Sequence, residues 1–308
     1  MQRVGRALER AARENCPVLL YGETGTGKEL AARAIHGLGP RVSEPFVAVN
    51  CAAIPGDLLE SQLFGHLKGA FTGAVRANPG AFRGAGAGTV LLDEIHAMPS
   101  GAQAKLLRAI ESRRVTPVGD FRELPFDARI VTACNTFPTK ALAAGQLRED
   151  LYFRLSDFEI YLPPLRDRKE DIPLLVERLL SHMLPEQATR VPDVAGDVLE
   201  ALAAHAWPGN IRELRKLLRQ VISKHGNLQI IELRHLPSSF KLSPATPNTG
   251  SADAASFLPL REVERRHVEE ALRASGNNRS LAAKLLAIPR SRLYGLIRRH
   301  KLQRIKHL

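Results

Sequence analysis

Four short apolar runs in the first half of the chain each end at polar residues. The runs are Val18 to Tyr21, Phe46 to Val49, Val90 to Leu92 and Ile130 to Cys134. Between the first two, helical periodicity is seen at Leu30, Ala31, Ala34 and Ile35. Short apolar runs that alternate with helices are typical of buried parallel strands joined by crossover helices. The pattern predicts an α/β fold with a doubly wound parallel sheet, in which ligands bind at the carboxyl ends of the strands.

Helical periodicity replaces the strand signals after Leu165. The apolar positions of this region are Ile172, Leu175, Val176, Leu179, residues 198–204, Ile211, Leu214, Leu218 and Val221. They predict a small helical lid over residues 166–238, after an α/β subdomain over residues 1–165, and Asn210 can cap the last lid helix. Residues 239–257 are too poor in apolar side chains to fold alone, so we expect a flexible linker there.

Residues 258–308 have the apolar spacing of three short helices. The marking positions are Leu260, Val263, Ala271 and Leu272 for the first, Leu281, Ala282, Leu285 and Leu286 for the second, and Leu293, Leu296 and Ile297 for the third. Asn278 precedes the second helix, and Pro289 fits the first position of the third, where its missing N–H costs nothing. This spacing is typical of an all-α helix-turn-helix domain, whose third helix is the recognition helix.

Charge also sets this segment apart. The 308 residues carry 44 Lys and Arg against 32 Asp and Glu, a net charge of +12, and residues 258–308 hold thirteen of the basic residues but four of the acidic ones. Such a basic domain indicates nucleic-acid binding, although a solvated basic tail has the same composition. Three scattered cysteines and the lack of an apolar leader favour the cytoplasm. No run reaches the roughly 18 apolar residues that span a bilayer, so we expect no membrane association.

A glycine-rich stretch between the first strand and the next helix has the G-x-x-x-x-G-K pattern of a P-loop. It consists of Gly22, Glu23, Thr24, Gly25, Thr26, Gly27 and Lys28, and Glu29 follows where a Ser or Thr commonly holds magnesium. The backbone N–H groups of such a loop and its lysine bind the phosphates of ATP. Asp93, at the end of the third run, is then the expected ligand of Mg²⁺, through water.

Glu94 follows Asp93 and is the candidate base that polarises the attacking water. Asn50 and Asn135 end neighbouring strands and can orient either the water or Glu94 by neutral hydrogen bonds. Either asparagine can instead be a turn residue at a strand end, and an Asp-Glu pair can simply open a surface loop. An apolar strand that delivers the pair beside a P-loop favours ATP hydrolysis.

Three arginines are candidates to bind the phosphates of the nucleotide. Arg148 and Arg154 are six residues apart, roughly 240° around a helix, which predicts separate roles for them. An arginine at a γ-phosphate can come from a neighbouring subunit, and such head-to-tail contacts close into rings. The alternative is that both pair with the nearby Glu149 and Asp150. Arg212 can reach the nucleotide from the lid or remain an exposed helix charge.

Small residues flank an aromatic and a hydroxyl side chain downstream of the P-loop. The stretch, here called the Phe71 loop, is Gly69, Ala70, Phe71, Thr72, Gly73 and Ala74. Its glycines permit backbone angles that other residues avoid, so Phe71 and Thr72 can stand at the tip of a tight loop. An arbitrary hexapeptide of this kind would be a turn with one buried Phe. A position between a P-loop and an acidic strand end favours a moving functional loop.

Eight stretches together resemble the NtrC family of bacterial enhancer-binding proteins, the sigma-54-dependent AAA+ transcriptional activators. They are residues 22–29, 49–53, 63–66, 69–74, 91–95, 147–155, 162–166 and 207–210. The resemblance covers nearly the whole chain, and the last segment is similar to the Fis-type domain of the same family. The chain departs from the family pattern at Cys134, where Thr is usual, at residues 86–88 before the third strand, and at Ala287, where Gly is frequent.

The resemblance implies a role for each site residue. The P-loop is Walker A, in which Glu29 is normal, and the pair at positions 93 and 94 is Walker B. The remaining implied roles are a switch partner of Glu94 at Asn50, sensor I at Asn135, fingers acting in trans at Arg148 and Arg154, and sensor II at Arg212. The Phe71 loop engages sigma-54.

The implied protein is an ATP-hydrolysing ring, a hexamer or heptamer, that binds double-stranded enhancer DNA and remodels closed complexes of sigma-54 RNA polymerase into open ones. One alternative is a DNA-binding regulator that keeps the AAA+ domain mainly as a nucleotide-controlled oligomerisation scaffold. Another is an AAA+ remodeller of unrelated clients. Family members usually carry an N-terminal sensory domain, so we expect either a truncated chain or control in trans.

The recognition helix carries two sets of candidate DNA contacts. Arg290, Ser291 and Arg292 fall at its N-terminal end, where base edges are reached. Arg298, Arg299 and Lys301 are better placed for phosphates. A dimer formed through the first helix of the domain would present two recognition helices to a palindromic site.

Overall fold

The structure is a computed structural model that describes residues 1–183, 191–226, 228–237 and 240, and in the C-terminal segment residues 264–265, 268–269, 271–272, 275, 278–286 and 288–300. The chain divides into two compact units, Met1–Pro247 and Asn248–Leu308, each with its own apolar core. The predicted linker, apart from Phe240, lies outside the described residues, as do Leu260, Val263, Ala287 and Lys301.

A five-stranded parallel sheet forms the centre of the first unit, with strand order β2-β3-β6-β1-β7. Its strands are β1 (Val18–Tyr21), β2 (Phe46–Asn50), β3 (Thr89–Asp93), β6 (Arg129–Cys134) and β7 (Phe158–Tyr161). The four predicted strands and the doubly wound architecture are confirmed. The register places Asn50 opposite Asp93, and Tyr21 opposite Cys134, so the polar strand ends meet at one edge of the sheet, here called the carboxyl edge.

Helices cover both faces of this sheet. They are α1 (Gln2–Arg13), α2 (Lys28–Gly37), α3 (Gly56–Phe64), α4 (Gly80–Gly84), α5 (Ser100–Ser112), α6 (Pro138–Ala143) and α7 (Glu149–Leu155). One core packs Leu59, Leu106 and Leu151 against the sheet, and a second packs Ile35 of α2 against the opposite face. Between α5 and β6, β4 (Arg114–Val115) and β5 (Leu124–Pro125) form a small antiparallel pair.

The predicted helical lid is also confirmed. It consists of α8 (Ile172–Met183), α9 (Gly196–Ala204) and α10 (Asn210–His225), with a short parallel pair of β8 (Asp193–Val194) and β9 (Ile230–Ile231). Its core surrounds the fully buried Trp207, whose indole N–H donates to the carbonyl of Leu202 at 2.7 Å. Asn210 does not cap α10 as expected. It is the first helical residue, with a φ of 51°, and Gly209 occupies the capping position.

The second unit contains α11 (Arg279–Leu285) and α12 (Arg290–Arg299), packed around Ala282 and Leu293. Asn278 caps α11, since its side-chain oxygen accepts from the N–H groups of Ser280 and Leu281 at 3.1 and 3.2 Å. Pro289 lies one position earlier than predicted. Its ψ of 146° is extended, so it precedes α12 as the capping residue and is not the first helical residue.

No helix in the described part of the chain combines the length and the apolar character needed to span a bilayer.

Candidate functional site

The P-loop joins β1 to α2 and requires glycine where the chain approaches it most closely. A Cβ on Gly22 would lie 2.3 Å from the carbonyl oxygen of Leu162, and one on Gly25 would lie 2.3 Å from that of Gly209. Both residues have positive φ, 151° and 81°. These positions admit no side chain, so the loop passes directly under the chain that leads into the lid.

The side chain of Lys28, the last residue of the P-loop, folds back into the loop. Its ammonium donates to the carbonyl oxygens of Gly22 and Glu23 at 2.8 and 3.1 Å. Burial lowers the pKa of Lys28, and the charges of Asp93 and Glu94 oppose that shift. The side chain is therefore directed at the place where a P-loop holds phosphate oxygens.

Glu29 behaves differently from the other residues predicted to bind nucleotide. Its carboxylate is exposed and pairs with Arg33 one helical turn later, at 2.8 Å. The first turn of α2 thus directs Lys28 into the loop and Glu29 to the surface.

The carboxylates of Asp93, the last residue of β3, and of Glu94, the residue after it, lie at the carboxyl edge. Asp93 accepts from the backbone N–H of Glu94 at 3.0 Å. Glu94 has φ 57° and ψ 45°, a left-handed conformation that is uncommon outside glycine. Asn135, beyond the end of β6, donates from its side-chain amide to Glu94 Oε2 at 2.6 Å. The structure therefore joins two neighbouring strand ends through Glu94.

Asn50 does not make the predicted contact with Glu94. Its side-chain oxygen accepts from the N–H groups of Ala52 and Ala53, at 2.9 and 3.1 Å, and so forms a turn at the end of β2. This is the alternative role that the sequence allowed. The physical reason is local, because the chain turns immediately after β2 and the amide side chain satisfies the turn's own N–H groups.

His96 was not singled out from the sequence, yet it contacts the same carboxylate. Its Nε2 lies 3.6 Å from Glu94 Oε2, and its Nδ1 lies 3.3 Å from the sulfur of Cys134. The only sequence signal at this point was the unusual Cys134.

The two arginines near α7 differ in their surroundings. Arg148 precedes the helix and forms a two-point ion pair with Asp150, at 3.0 and 2.7 Å. Both side chains are exposed, so the pair is easily exchanged for another partner. Arg154 is exposed on the last turn of α7, and no carboxylate lies within ion-pair distance of it among the described residues. The pairing alternative therefore holds for Arg148 and not for Arg154.

Arg212 lies on the first turn of α10, above the P-loop. Its Cβ is 3.2 Å from the point where a Cβ on Gly25 would stand. Its positive charge contributes to the lowered pKa of Lys28, after the larger effect of burial. Arg212 thus begins at the P-loop, and its side chain is exposed.

Hydrogen bonds attach the lid and the chain leading into it directly to the P-loop. Four contacts make the attachment: Ile211 N–H to Gly25 O at 3.0 Å, the Asn210 amide to Thr24 O at 3.0 Å, the Arg168 guanidinium to Thr26 O at 2.9 Å, and Arg166 to the Glu23 carboxylate at 2.5 and 2.8 Å. Neither Arg166 nor Arg168 was predicted to reach the P-loop, and Asn210 was expected only to cap α10. These contacts depend on the approach of segments more than 140 residues apart.

The Phe71 loop stands out from the body of the first unit. Gly69 and Gly73 have φ values of 83° and 101°, and Gly69 N–H donates to Ala74 O at 2.9 Å, which closes the loop. Phe71 is 36% exposed, with its ring edge against His66 at a centroid distance of 5.1 Å. The loop therefore presents its aromatic residue at the surface and does not bury it.

A second loop, residues 116–123 between β4 and β5, packs beside the Phe71 loop. Val118 forms two backbone hydrogen bonds with the residues that precede the Phe71 loop. Its N–H donates to Gly65 O at 2.8 Å, and its carbonyl oxygen accepts from Leu67 N–H at 3.1 Å. A Cβ on Gly119 would stand 2.8 Å from that of Ala70. Phe121, at the tip, is 99% exposed. No pattern in the sequence indicates that these two loops meet.

The predicted DNA-contacting residues lie on the surface of α12 where the structure describes them. Arg290, Ser291 and Arg292 are exposed at its start, and Arg298 and Arg299 are exposed at its end. Tyr294, which was not predicted, is exposed between them, and the Arg279 guanidinium lies 5.2 Å from the centre of its ring.

Comparisons with known proteins agree with this arrangement. The sigma-54 interaction domain matches residues 1–161, the AAA+ ATPase lid domain residues 166–253, and the Fis family of bacterial regulatory proteins residues 259–299. The response regulator protein PilR of Pseudomonas aeruginosa is 40% identical over 94% of this chain, and the transcriptional activator RocR of Bacillus subtilis is 40% identical over 97% of it. The chain spans 65% of the length of each of these relatives.

Among solved structures, NtrX from Brucella abortus in complex with ATP is similar over 97% of this chain and 67% of its own, with 30% identity and a TM-score of 0.72. A structure of the same protein in complex with ADP has 31% identity and the same TM-score of 0.72. The chain has the fold of a P-loop NTPase. It therefore belongs to the sigma-54 interaction domain family, the AAA+ sigma-54-dependent transcriptional activators, with a helical lid and a Fis-type helix-turn-helix domain.

Proposed function

We propose that this chain hydrolyses ATP and uses the reaction to remodel closed complexes of sigma-54 RNA polymerase into open ones, while its Fis-type domain binds double-stranded enhancer DNA. Family membership supports the assignment, and the similar NtrX structures contain ATP and ADP. The observation that carries it is the grouping of Lys28, Asp93 and Glu94 at one edge of the sheet, with the Glu94 carboxylate held by Asn135 at 2.6 Å.

In the proposed reaction, a water oxygen attacks the γ-phosphorus of ATP, and the bond to the bridging oxygen of ADP breaks. Glu94 accepts a proton of the attacking water and later releases it to solvent. The P-loop N–H groups and Lys28 hold the phosphates, and Asn135 keeps the Glu94 carboxylate in place. Inorganic phosphate and ADP are the products.

Asp93 is the residue that would hold Mg²⁺. A carboxylate is the hard oxygen ligand that this ion prefers, and Asp93 is close enough to Lys28 for its charge to oppose the lowering of the Lys28 pKa. When bound, the ion neutralises developing phosphate charge.

Arg154 and Arg148 are proposed to act on the nucleotide of a neighbouring subunit in a ring of six or seven copies. Arg154 suits this role because it is exposed and has no carboxylate partner among the described residues. Arg148 would exchange its exposed pair with Asp150 for the phosphate. Arg212 is proposed to act on the nucleotide of its own subunit, because it stands above Gly25.

The Phe71 loop is the proposed contact with sigma-54, and its exposed aromatic tip supports this role. On DNA, the residues at the start of α12 would contact base edges, and the basic residues at its end would contact phosphates. We place the protein in the cytoplasm, where the polymerase and the promoter are found.

The test is open-complex formation at a sigma-54 promoter with ATP, comparing the wild type with Thr72→Ala and Glu94→Ala. We expect Glu94→Ala to lose both hydrolysis and open complexes, and Thr72→Ala to hydrolyse ATP but form few open complexes. Activation by Glu94→Ala at the wild-type level would instead identify the AAA+ domain as an oligomerisation scaffold.

A further inference from the structure

His96 stands between the thiol of Cys134 and the carboxylate of Glu94. Its side chain is 13% exposed and that of Glu94 is 19% exposed, so solvent is largely kept from their contact. The Nδ1 to Sγ distance is 3.3 Å, and the Nε2 to Oε2 distance is 3.6 Å. Contacts of this second length between catalytic groups commonly tighten when substrate binds.

The contact with Cys134 is compatible with a proton on the other nitrogen of the imidazole, because a thiol can act as the donor to Nδ1. Burial raises the pKa of its thiol, and the neighbouring Glu94 charge raises it further, so the sulfur is protonated at neutral pH. A thiol can then donate to Nδ1, and the ring proton of a neutral imidazole sits on Nε2. Nε2–H is the group that faces Glu94.

The second donor matters because one donor does not fix a carboxylate. The terminal torsion of a glutamate is broad, so a carboxylate held only by Asn135 can still rotate about that contact. Asn135 and His96 approach the same oxygen, Oε2. Both contacts fall on Oε2, so in the described part of the chain neither donor occupies Oε1, the oxygen that would accept the proton of water.

We propose that His96 is a positioning residue for ATP hydrolysis, which holds the Glu94 carboxylate beside Asn135 and is itself held in the Nε2–H tautomer by Cys134. This inference rests on the proposed ATPase function. It assigns a purpose to Cys134, one of the three places at which the chain departs from the family pattern.

The test compares three substitutions at position 96 in the full chain, by steady-state ATP hydrolysis without polymerase. The amide nitrogen of Gln reaches about as far as Nε2, whereas that of Asn corresponds to Nδ1. We expect His96→Ala and His96→Asn to lower kcat by about tenfold with little change in KM, because misplacing a reacting group slows chemistry more than binding. His96→Gln should recover most of the wild-type kcat.

Substitutions at position 134 test the tautomer. Cys134→Ser keeps a donor and should retain most of the wild-type kcat, whereas Cys134→Ala should fall toward the rate of His96→Asn. Cys51→Ala is the matched control, since Cys51 is also a buried thiol, with its pKa raised to about 12 by burial, and the hydrogen bond to His96 comes from the other buried thiol, Cys134. We expect this control to hydrolyse ATP at the wild-type rate.

The outcomes separate the two proposals. A wild-type chain without ATPase activity overturns the proposed function and this inference with it. A wild type that hydrolyses ATP while the Ala, Asn and Gln variants at position 96 share its kcat overturns the inference alone. Equal slowing by Gln and Asn also overturns it, because a structural role would not distinguish the two amides. Binding of a fluorescent ATP analogue verifies that each variant is folded, and the Gln and Asn comparison decides the question even if His96→Ala does not fold.

Discussion

At the scale of single residues, the sequence predicted which side chains lie at the site, but not which hydrogen-bond partners they have there. The end of each apolar run correctly located Asp93, Glu94 and Asn135 at one edge of the sheet. The pattern could not tell that Asn50 would satisfy its own turn, because that choice depends on the path of the chain after β2. It also gave no sign of His96, whose position follows from the short helical turn after Glu94.

Gly25 tests the close approach of the lid to the P-loop. A Cβ there would lie 2.3 Å from the carbonyl of Gly209, so Gly25→Ala must displace the start of α10. Losing one or two hydrogen bonds, about 1.4 kcal/mol, corresponds to a tenfold loss of affinity, and we expect ATP binding to weaken by at least about that factor. Calorimetric titration with ATP would measure it.

Gly145→Ala is the control for this substitution. Gly145 also has a positive φ, 66°, but nothing lies within 4 Å of its added Cβ. The control therefore introduces the left-handed backbone strain, about 1 kcal/mol, without the steric conflict. Equal ATP affinity in the two variants would show that the lid contact does not support binding.

At the scale of elements, continuous apolar runs were far easier to predict than mixed strands and loops. Four strands, including the edge strand β2, are continuous apolar runs, whereas Glu159 interrupts the apolar residues of β7, so its sequence lacks that signal. The pairing of the Phe71 loop with residues 116–123 joins segments about fifty positions apart, and no local pattern encodes it. The Phe71 loop itself was predictable because its two glycines specify a tight turn.

Gly119 tests whether the two loops act together. A Cβ at this position would stand 2.8 Å from that of Ala70, so Gly119→Ala should push the Phe71 loop out of place. Overpacking of this kind costs about 1–3 kcal/mol, and we expect open-complex formation to fall by about fivefold or more while ATP hydrolysis is retained. The measurement is promoter opening and ATP turnover on the same preparation.

Gly86→Ala provides the comparison, because Gly86 has a φ of 56° and open space around its added Cβ. We expect it to open promoters normally. If Gly119→Ala did so as well, the second loop would have no part in the contact with polymerase.

At the scale of the whole molecule, composition predicted which segment is the DNA-binding domain, but not how subunits assemble. The basic surplus of residues 258–308 correctly marked the segment that matches the Fis family. How subunits meet is a property of more than one chain. Arg154 is exposed and has no carboxylate partner in the described part of the chain, so it is the residue that we expect to contact a second subunit.

Mixing two inactive variants tests the proposed action of Arg154 in trans. Glu94→Ala removes the base from its own site, and Arg154→Ala removes the arginine supplied to a neighbour. In an equal mixture, about one quarter of the sites in a closed ring combine an intact base with an intact arginine, so we expect about a quarter of the wild-type ATPase rate.

The control mixes Glu94→Ala with Lys28→Ala, whose lesions fall in the same site, and no activity should return. Recovery in the control, or none in the test mixture, would show that Arg154 does not complete a neighbouring site.

The hydrogen bonds from Ile211 to Gly25 and from Arg168 to Thr26 have a mechanical consequence. Because these bonds join the P-loop to the start of α10 and to the segment before α8, the P-loop cannot change shape without moving both of them. We therefore expect departure of the terminal phosphate to be transmitted to the last lid helix through the backbone hydrogen bond of Ile211, and to the segment before α8 through the side chain of Arg168.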